Sequence, residues 1–172
     1  MFDQMTQETA HWADDVQRGD IVLFKFPVRF AGQGEEPKVR PCLVLEVEMH
    51  GDHKRFVLAY GTSAATPANR GYEVAITHVA DLQAAGLTRA TRFVGARLLS
   101  VSPDHNGFDV GGTEPPVIGR LPANRIDRMN WVGARIHAER DIAADRRAER
   151  RKAGPVVEPR RRRFALTKKP AA

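Results

Sequence analysis

Two short stretches hold the side chains best suited to chemistry. The first is "KVRPCLVLEVEMH", residues 38–50, in which Arg40 stands directly before Pro41 at the mouth of an apolar run. A proline restricts the residue before it to extended backbone. Arg40 is therefore either a solvated cation at a strand edge or a guanidinium held toward a ligand. Its planar fork suits two parallel hydrogen bonds to a phosphate and stays charged at any ordinary pH. The second stretch is "GTS", residues 61–63, where Thr62 and Ser63 offer two hydroxyls. A Thr–Ser pair either donates to a bound anion or simply caps a turn.

Other candidate groups carry less. His50, His53, His78 and His105 fall in or near loops and read as solvated loop residues, although histidine is the natural proton acceptor near neutral pH. "HGDH", residues 50–53, lacks a fourth fixed ligand for zinc, so no metal site is expected. Ser63 is not set on the sharp strand-to-helix turn that a nucleophilic serine requires. Cys42, the single cysteine, follows a proline inside an apolar run and reads as packed and inert. One cysteine cannot form an internal disulfide, which suits a reducing cytoplasm.

Behind these residues the pattern predicts mostly short strands. "IVLFKFP", residues 21–27, is apolar on both faces, as in a strand buried on both sides, and Pro27 closes it. "VRFAGQGEEPK" follows as a polar loop. In the next strand Leu43, Leu45, Val47 and Met49 alternate with Val44, Glu46 and Glu48, which predicts one buried and one partly wet face. Gly51 and Asp52 mark a hairpin into "HKRFVLAYG", and "YEVAIT", "ATRFVGARLLSVS" and "VIGRL" supply further strands. A short helix is expected over "HVADLQAAG", with Thr77 as its N-cap and Gly86 at its end. A longer helix starts near Pro122, with Ile126, Met129, Gly133 and Ile136 as a narrow apolar stripe. Trp131 is expected to pack beside that stripe, while Trp12 and Trp131 are the two candidates for base stacking.

Charge divides the chain. The 172 residues carry a net +6, but from Glu139 onward twelve Lys/Arg oppose five Asp/Glu, a net of +7. Residues 1–138 therefore sum to −1. The expected organisation is an arm over residues 1–17, a folded body over 18–138, and a basic tail over 139–172, helical at first and then disordered. That tail suits attachment to nucleic-acid phosphates, a solubilising role, or an acidic partner. No apolar run approaches the roughly 18–20 residues of a membrane span, and the acidic start does not read as a signal peptide.

"GDIVLFKFP", "KVRPCLVLE", "LAYGTS", "GYEVAI", "AGLTRATRFVGARLLSV" and "IGRLPANRI" occur in that order between residues 19 and 126. Together they resemble the PemK/MazF family, the toxin half of type II toxin–antitoxin modules, over roughly residues 18–136. The resemblance implies a mainly β fold, a small SH3-like barrel with a short inserted helix and a C-terminal helix, usually as a homodimer. It implies metal-independent cleavage of single-stranded RNA, no cofactor, and neutralisation by a cognate antitoxin. Residue by residue, Arg40 and Thr62 match the family's catalytic positions. Lys38 and Arg29, on either side of the polar loop, and Ser63, beside Thr62, are the expected substrate contacts. Gly61 departs from the pattern, because an apolar residue is more usual there, and the loop from Val28 to Pro37 has its own composition. The alternative is a barrel without catalysis that binds nucleic acid or a protein.

Overall fold

A computed structural model of the chain describes residues 12–27, 37–112 and 114–153. Six strands lie in chain order as β1 (Asp20–Lys25), β2 (Val39–His50), β3 (His53–Thr62), β4 (Glu73–Ile76), β5 (Thr91–Val101) and β6 (Val117–Arg120). They form one sheet in the order β4-β5-β3-β2-β1-β6, and every neighbouring pair is antiparallel. Helix α1 (Val79–Ala84) is inserted between β4 and β5, and helix α2 (Ala123–Ala153) follows β6. Three register shifts interrupt the ladders, in the pairs β1–β6, β2–β3 and β3–β5. Bulges of this kind sharpen the local twist and curl a sheet. The result is a curled half-barrel of six strands with a C-terminal helix.

Both faces of this sheet are covered. On one, Val22, Phe24, Cys42, Val44, Phe56, Leu58 and Tyr60 meet Ala13 and Val16 from the segment before β1, with Trp12 and Phe108. On the other, Ile21, Leu43, Ala59, Val74, Ile76 and Phe93 meet Met129 and Val132 of α2. Ile21, Val22 and Phe24 are fully buried, so β1 faces apolar neighbours on both sides, as its unbroken apolar run predicts. Burial of each such side chain is worth about 1.5–3 kcal/mol.

The strict alternation expected of β2 fails at a bulge. Val44 pairs with Leu58 and Glu46 with Val57, which leaves Leu45 as an extra residue. Side-chain parity flips there, so Val47 packs on the face of Val44 rather than that of Leu43, and Met49 is exposed. The predicted hairpin at residues 51–52 is present, with His50 opposite His53. Helix α1 is capped differently from expectation. His78, not Thr77, holds the N-cap position, with no side-chain cap bond, and the helix ends just before Gly86.

In α2 the expected stripe packs on the sheet through Ile126, Met129 and Ile136, with Val132 added at its centre. Gly95 of β5 lies under that stripe. A Cβ at this position would come within 2.7 Å of Val132 and 2.8 Å of Ile136, so the glycine sets how closely the helix seats. Trp131 corrects the reading of the tryptophans. It is 49% exposed, whereas Trp12 packs against Phe56 and Phe108 at ring-centroid distances of 5.9 and 5.1 Å.

The chain divides into two compact units, Met1–Ala138 and Glu139–Ala172. In the second unit α2 is helical and largely exposed to residue 152, with Arg150, Arg151 and Lys152 in the last turn. Cations there complement the negative end of the helix dipole. The disorder expected after residue 153, the loop at 28–36 and the first eleven residues lie outside the described residues. No helix among the described residues is long and apolar enough to cross a membrane.

Candidate active site

Arg40 lies near the start of β2 and pairs in register with Phe24 of β1. On the other side, Cys42 pairs with Tyr60 of β3. Next to that pair Gly61 lies against the main chain of Pro41, and Arg40 and Thr62 each stand one residue further along their strands. Opposed residues of an antiparallel pair share a face, so Arg40 and Thr62 belong to the face of Cys42 and Tyr60. Both side chains are half-buried.

Gly61 explains how the strands come so close. A Cβ there would stand 2.1 Å from the carbonyl oxygen of Pro41 and 3.2 Å from the Phe93 ring. Main chain rather than a yielding side chain fills the space, so no other residue fits without moving β2 from β3. The departure from the family pattern at this position thus has a local cause, and it adjoins Thr62.

The guanidinium of Arg40 lies over the buried ring of Tyr60, with its central carbon 5.4 Å from the centroid. Arg97, exposed at the surface, approaches the same ring at 5.6 Å. Distances under about 6 Å are those of a cation–π contact. One aromatic ring therefore gathers two cations. A bulge puts Arg97 in this position, since Ala59 pairs with Leu98 and Tyr60 with Val94, leaving Gly95, Ala96 and Arg97 as extra residues on β5. Arg40 Nε is buried without a hydrogen-bond partner among the described residues. A buried donor of this kind costs about 1–3 kcal/mol unless something accepts from it.

Thr62 has a local bond: its Oγ1 accepts from the Ala64 N–H at 3.2 Å. The turn-capping role is therefore realised. A hydroxyl still has its own hydrogen to donate, so capping leaves Thr62 able to face an anion. The loop after Thr62 is pinned by Arg92 of β5, the neighbour of Thr62 in the β3–β5 ladder. Arg92 donates to the carbonyl oxygens of Ala64 and of Thr66, the latter at 3.1 Å, and pairs with Glu73 of β4 at 2.5 Å.

Of the other candidates, Lys38 and Ser63 are exposed beside Arg40 and Thr62 in the chain, and Arg29 lies outside the described residues. His50 pairs with Glu48 at 3.1 Å in the hairpin. His105 accepts from the Gly107 N–H through Nδ1 and packs on Phe24 at 5.3 Å, so it reaches the aromatic floor to which Tyr60 belongs. Cys42 is fully buried, and burial pushes its thiol from the ordinary 9.0 up to about 12, against smaller downward pulls from a Gly61 backbone hydrogen bond and the Arg40 charge. It is a packing residue. Among the described residues no group of three or more His, Cys, Asp or Glu gathers as metal ligands would.

Sequence reasoning did not single out Tyr60, Arg92 and Arg97. The signal available was Gly95 inside an otherwise apolar strand, a mark of a bulge. Which side chain the bulge would turn outward was not legible.

Against this geometry a comparison of families decides the affiliation. Residues 17–128 match the model of the PemK-like, MazF-like toxin of type II toxin–antitoxin system. The chain belongs to this toxin family. The match takes in every one of the six ordered stretches, and with them Arg40, Thr62 and Arg97. A PemK/MazF-like toxin of a type II system implies an antitoxin as partner. No curated protein shows significant similarity to the chain.

Proposed function

We propose that this PemK/MazF-like protein is an endoribonuclease that cuts single-stranded RNA without a metal and is neutralised by a cognate antitoxin. The single observation that carries the reading is that Arg40 and Arg97 meet over the ring of Tyr60, two residues before Thr62 on the same strand.

RNA brings its own nucleophile. The 2′-oxygen loses its proton and bonds to phosphorus, the bond from phosphorus to the 5′-oxygen breaks, and that oxygen takes up a proton. The products are a 2′,3′-cyclic phosphate and a 5′-hydroxyl. Negative charge accumulates on the two non-bridging oxygens between these events, and preorganised cationic donors aimed there lower the barrier. Arg40 fits that role through the guanidinium that it holds over Tyr60. Thr62 adds a hydroxyl donor from the facing strand. Arg97, Lys38, Ser63 and Arg29 serve to hold the flanking strand. An arginine with pKa above about 12 is a poor proton acceptor, so Arg40 acts as an electrostatic stabiliser and not as the base.

The half-barrel corresponds in this reading to the family's SH3-like fold, and the working form is a cytoplasmic homodimer. The test uses purified protein and single-stranded RNA in EDTA. Wild type is expected to cleave, and Arg40→Ala to fall by about a hundredfold in rate, the effect of deleting one such donor. Full activity in the variant, or strict dependence on a divalent metal, overturns the assignment. Salt-sensitive binding with no cleavage would favour a non-catalytic barrel.

A further inference from the structure

The outer face of α2 carries a second cationic group, remote from Tyr60. Trp131 is the largest exposed side chain of the first unit, and two arginines of the same helix close on it. The guanidinium carbon of Arg128 lies over the indole at 4.6 Å and that of Arg135 at 5.6 Å. Arg135 also stacks on Tyr72 at 4.1 Å and donates to its hydroxyl at 3.0 Å. Arg70, just before Gly71 and Tyr72, adds an exposed cation. Asp127 and Glu139, the latter four residues after Arg135, are the acidic residues nearest the pair, against Arg70, Arg128 and Arg135.

A guanidinium held on an aromatic ring keeps its N–H groups in its own plane. Arg128 donates through Nε to the Glu73 carbonyl at 2.9 Å, and its Nη groups have no acceptor among the described residues. Glu73 is also the residue whose carboxylate holds Arg92, which in turn holds the loop after Thr62. Arg128 and the loop after Thr62 are therefore both tied, the latter through Arg92, to Glu73 of the edge strand β4. β4 and β5 are adjacent strands, which places them about 4.8 Å apart. Thr62, on β3, is two ladder steps or about 10 Å from β4, the strand whose Glu73 carbonyl holds Arg128.

We propose that Arg128 and Arg135, steadied by Trp131, form a phosphate clamp for the single-stranded RNA that flanks the cleavage site. This rests on the nuclease reading and extends it: the substrate is a strand longer than the active site, wrapped over the β4 edge. A phosphate accepts from Arg128, whose plane Trp131 fixes, and Arg135, held on Tyr72, adds its charge.

The test uses the full chain with single-stranded RNAs of about 6 and about 20 nucleotides, which bracket the usual footprint of a single-strand groove. Arg128→Ala is expected to raise KM for the long RNA about tenfold more than for the short one. Arg128→Lys, which keeps the charge but not the plane, should restore only part of the difference. With the Arg40→Ala chain, Trp131 fluorescence should respond to the long RNA and not the short one, and the response should vanish in Trp131→Phe. Because Arg128→Ala leaves one phosphate without its cation, it should also make the salt slope shallower by about 0.7.

Equal effects of Arg128→Ala on both lengths, or an unchanged salt slope, overturn the clamp even if cleavage is confirmed. Weakened binding of an acidic polypeptide with RNA unaffected overturns it too, in favour of a protein-docking surface. If no RNA is cut at all, the nuclease reading fails separately. The fluorescence titration still decides whether the clamp binds the long strand.

Discussion

At the scale of single residues the chain separates the group proposed to stabilise the reaction from its neighbour that packs. Cys42 and Arg40 stand two residues apart on β2 and share a face, yet Cys42 is sealed and Arg40 reaches the surface. The thiol is held protonated by burial, with its pKa raised to about 12. The unfolded thiol loses its proton from near 9 upward, so in that range the unfolded state binds fewer protons than the native one. Stability is then full below about pH 9 and declines as pH rises from 9 toward 12. Denaturant midpoints measured from pH 8 to pH 11 should fall, and Cys42→Ala should remove the part of that fall due to this group. A thiol reagent should label wild type at pH 8 only at the rate of unfolding. Rapid labelling of the native chain would show the site to be open.

At the scale of elements, the proposed function depends on how closely β2 and β3 approach. Gly61 permits contact with the Pro41 main chain, and that contact sets the spacing between Arg40 and Thr62. Gly61→Ala places a methyl where a carbonyl oxygen sits 2.1 Å away. Overpacking of this kind typically costs about 1–3 kcal/mol. A melting curve should show that loss, and cleavage should fall more than stability accounts for, because displacing a catalytic group by an ångström costs up to about a hundredfold. Normal stability and activity in the variant would mean the strands relax without effect. The bulge on β5 works in the opposite sense. It loosens the ladder and delivers Arg97 to the ring that already holds Arg40.

For the whole molecule, the decisive feature is the contrast between a near-neutral body and a basic C-terminal unit. Among the described residues the buried ones end at Gly133, ahead of the boundary at Ala138. Removal of residues 139–172 takes away a net charge of +7 and none of that core. The shortened chain should therefore fold with a similar melting temperature, cleave a short RNA, and bind a long RNA more weakly. Its log affinity should also vary less steeply with log salt, by about 0.7 for each phosphate that the tail neutralises in the full chain. An unchanged salt slope would assign the tail to another partner.

Six ordered stretches, through their resemblance to a toxin family, were enough to indicate the kind of molecule and the first two residues of its candidate site. The apolar runs, the turn residues at 51–52 and the stripe of α2 are local signals, since strand and helix periods are written in adjacent side chains. Arg40 was visible because its proline is its neighbour, and Thr62 because the family resemblance places a threonine at the end of the following strand. Tertiary structure alone decided the rest. The extra residue at Leu45 moved Val47 to the other face, the core claimed Trp12 and left Trp131 in solvent, and the β5 bulge brought Arg97 to Tyr60. Each of these depends on which strand lies beside which and where a ladder slips by a residue. Such pairings join positions tens of residues apart, and no local pattern encodes them.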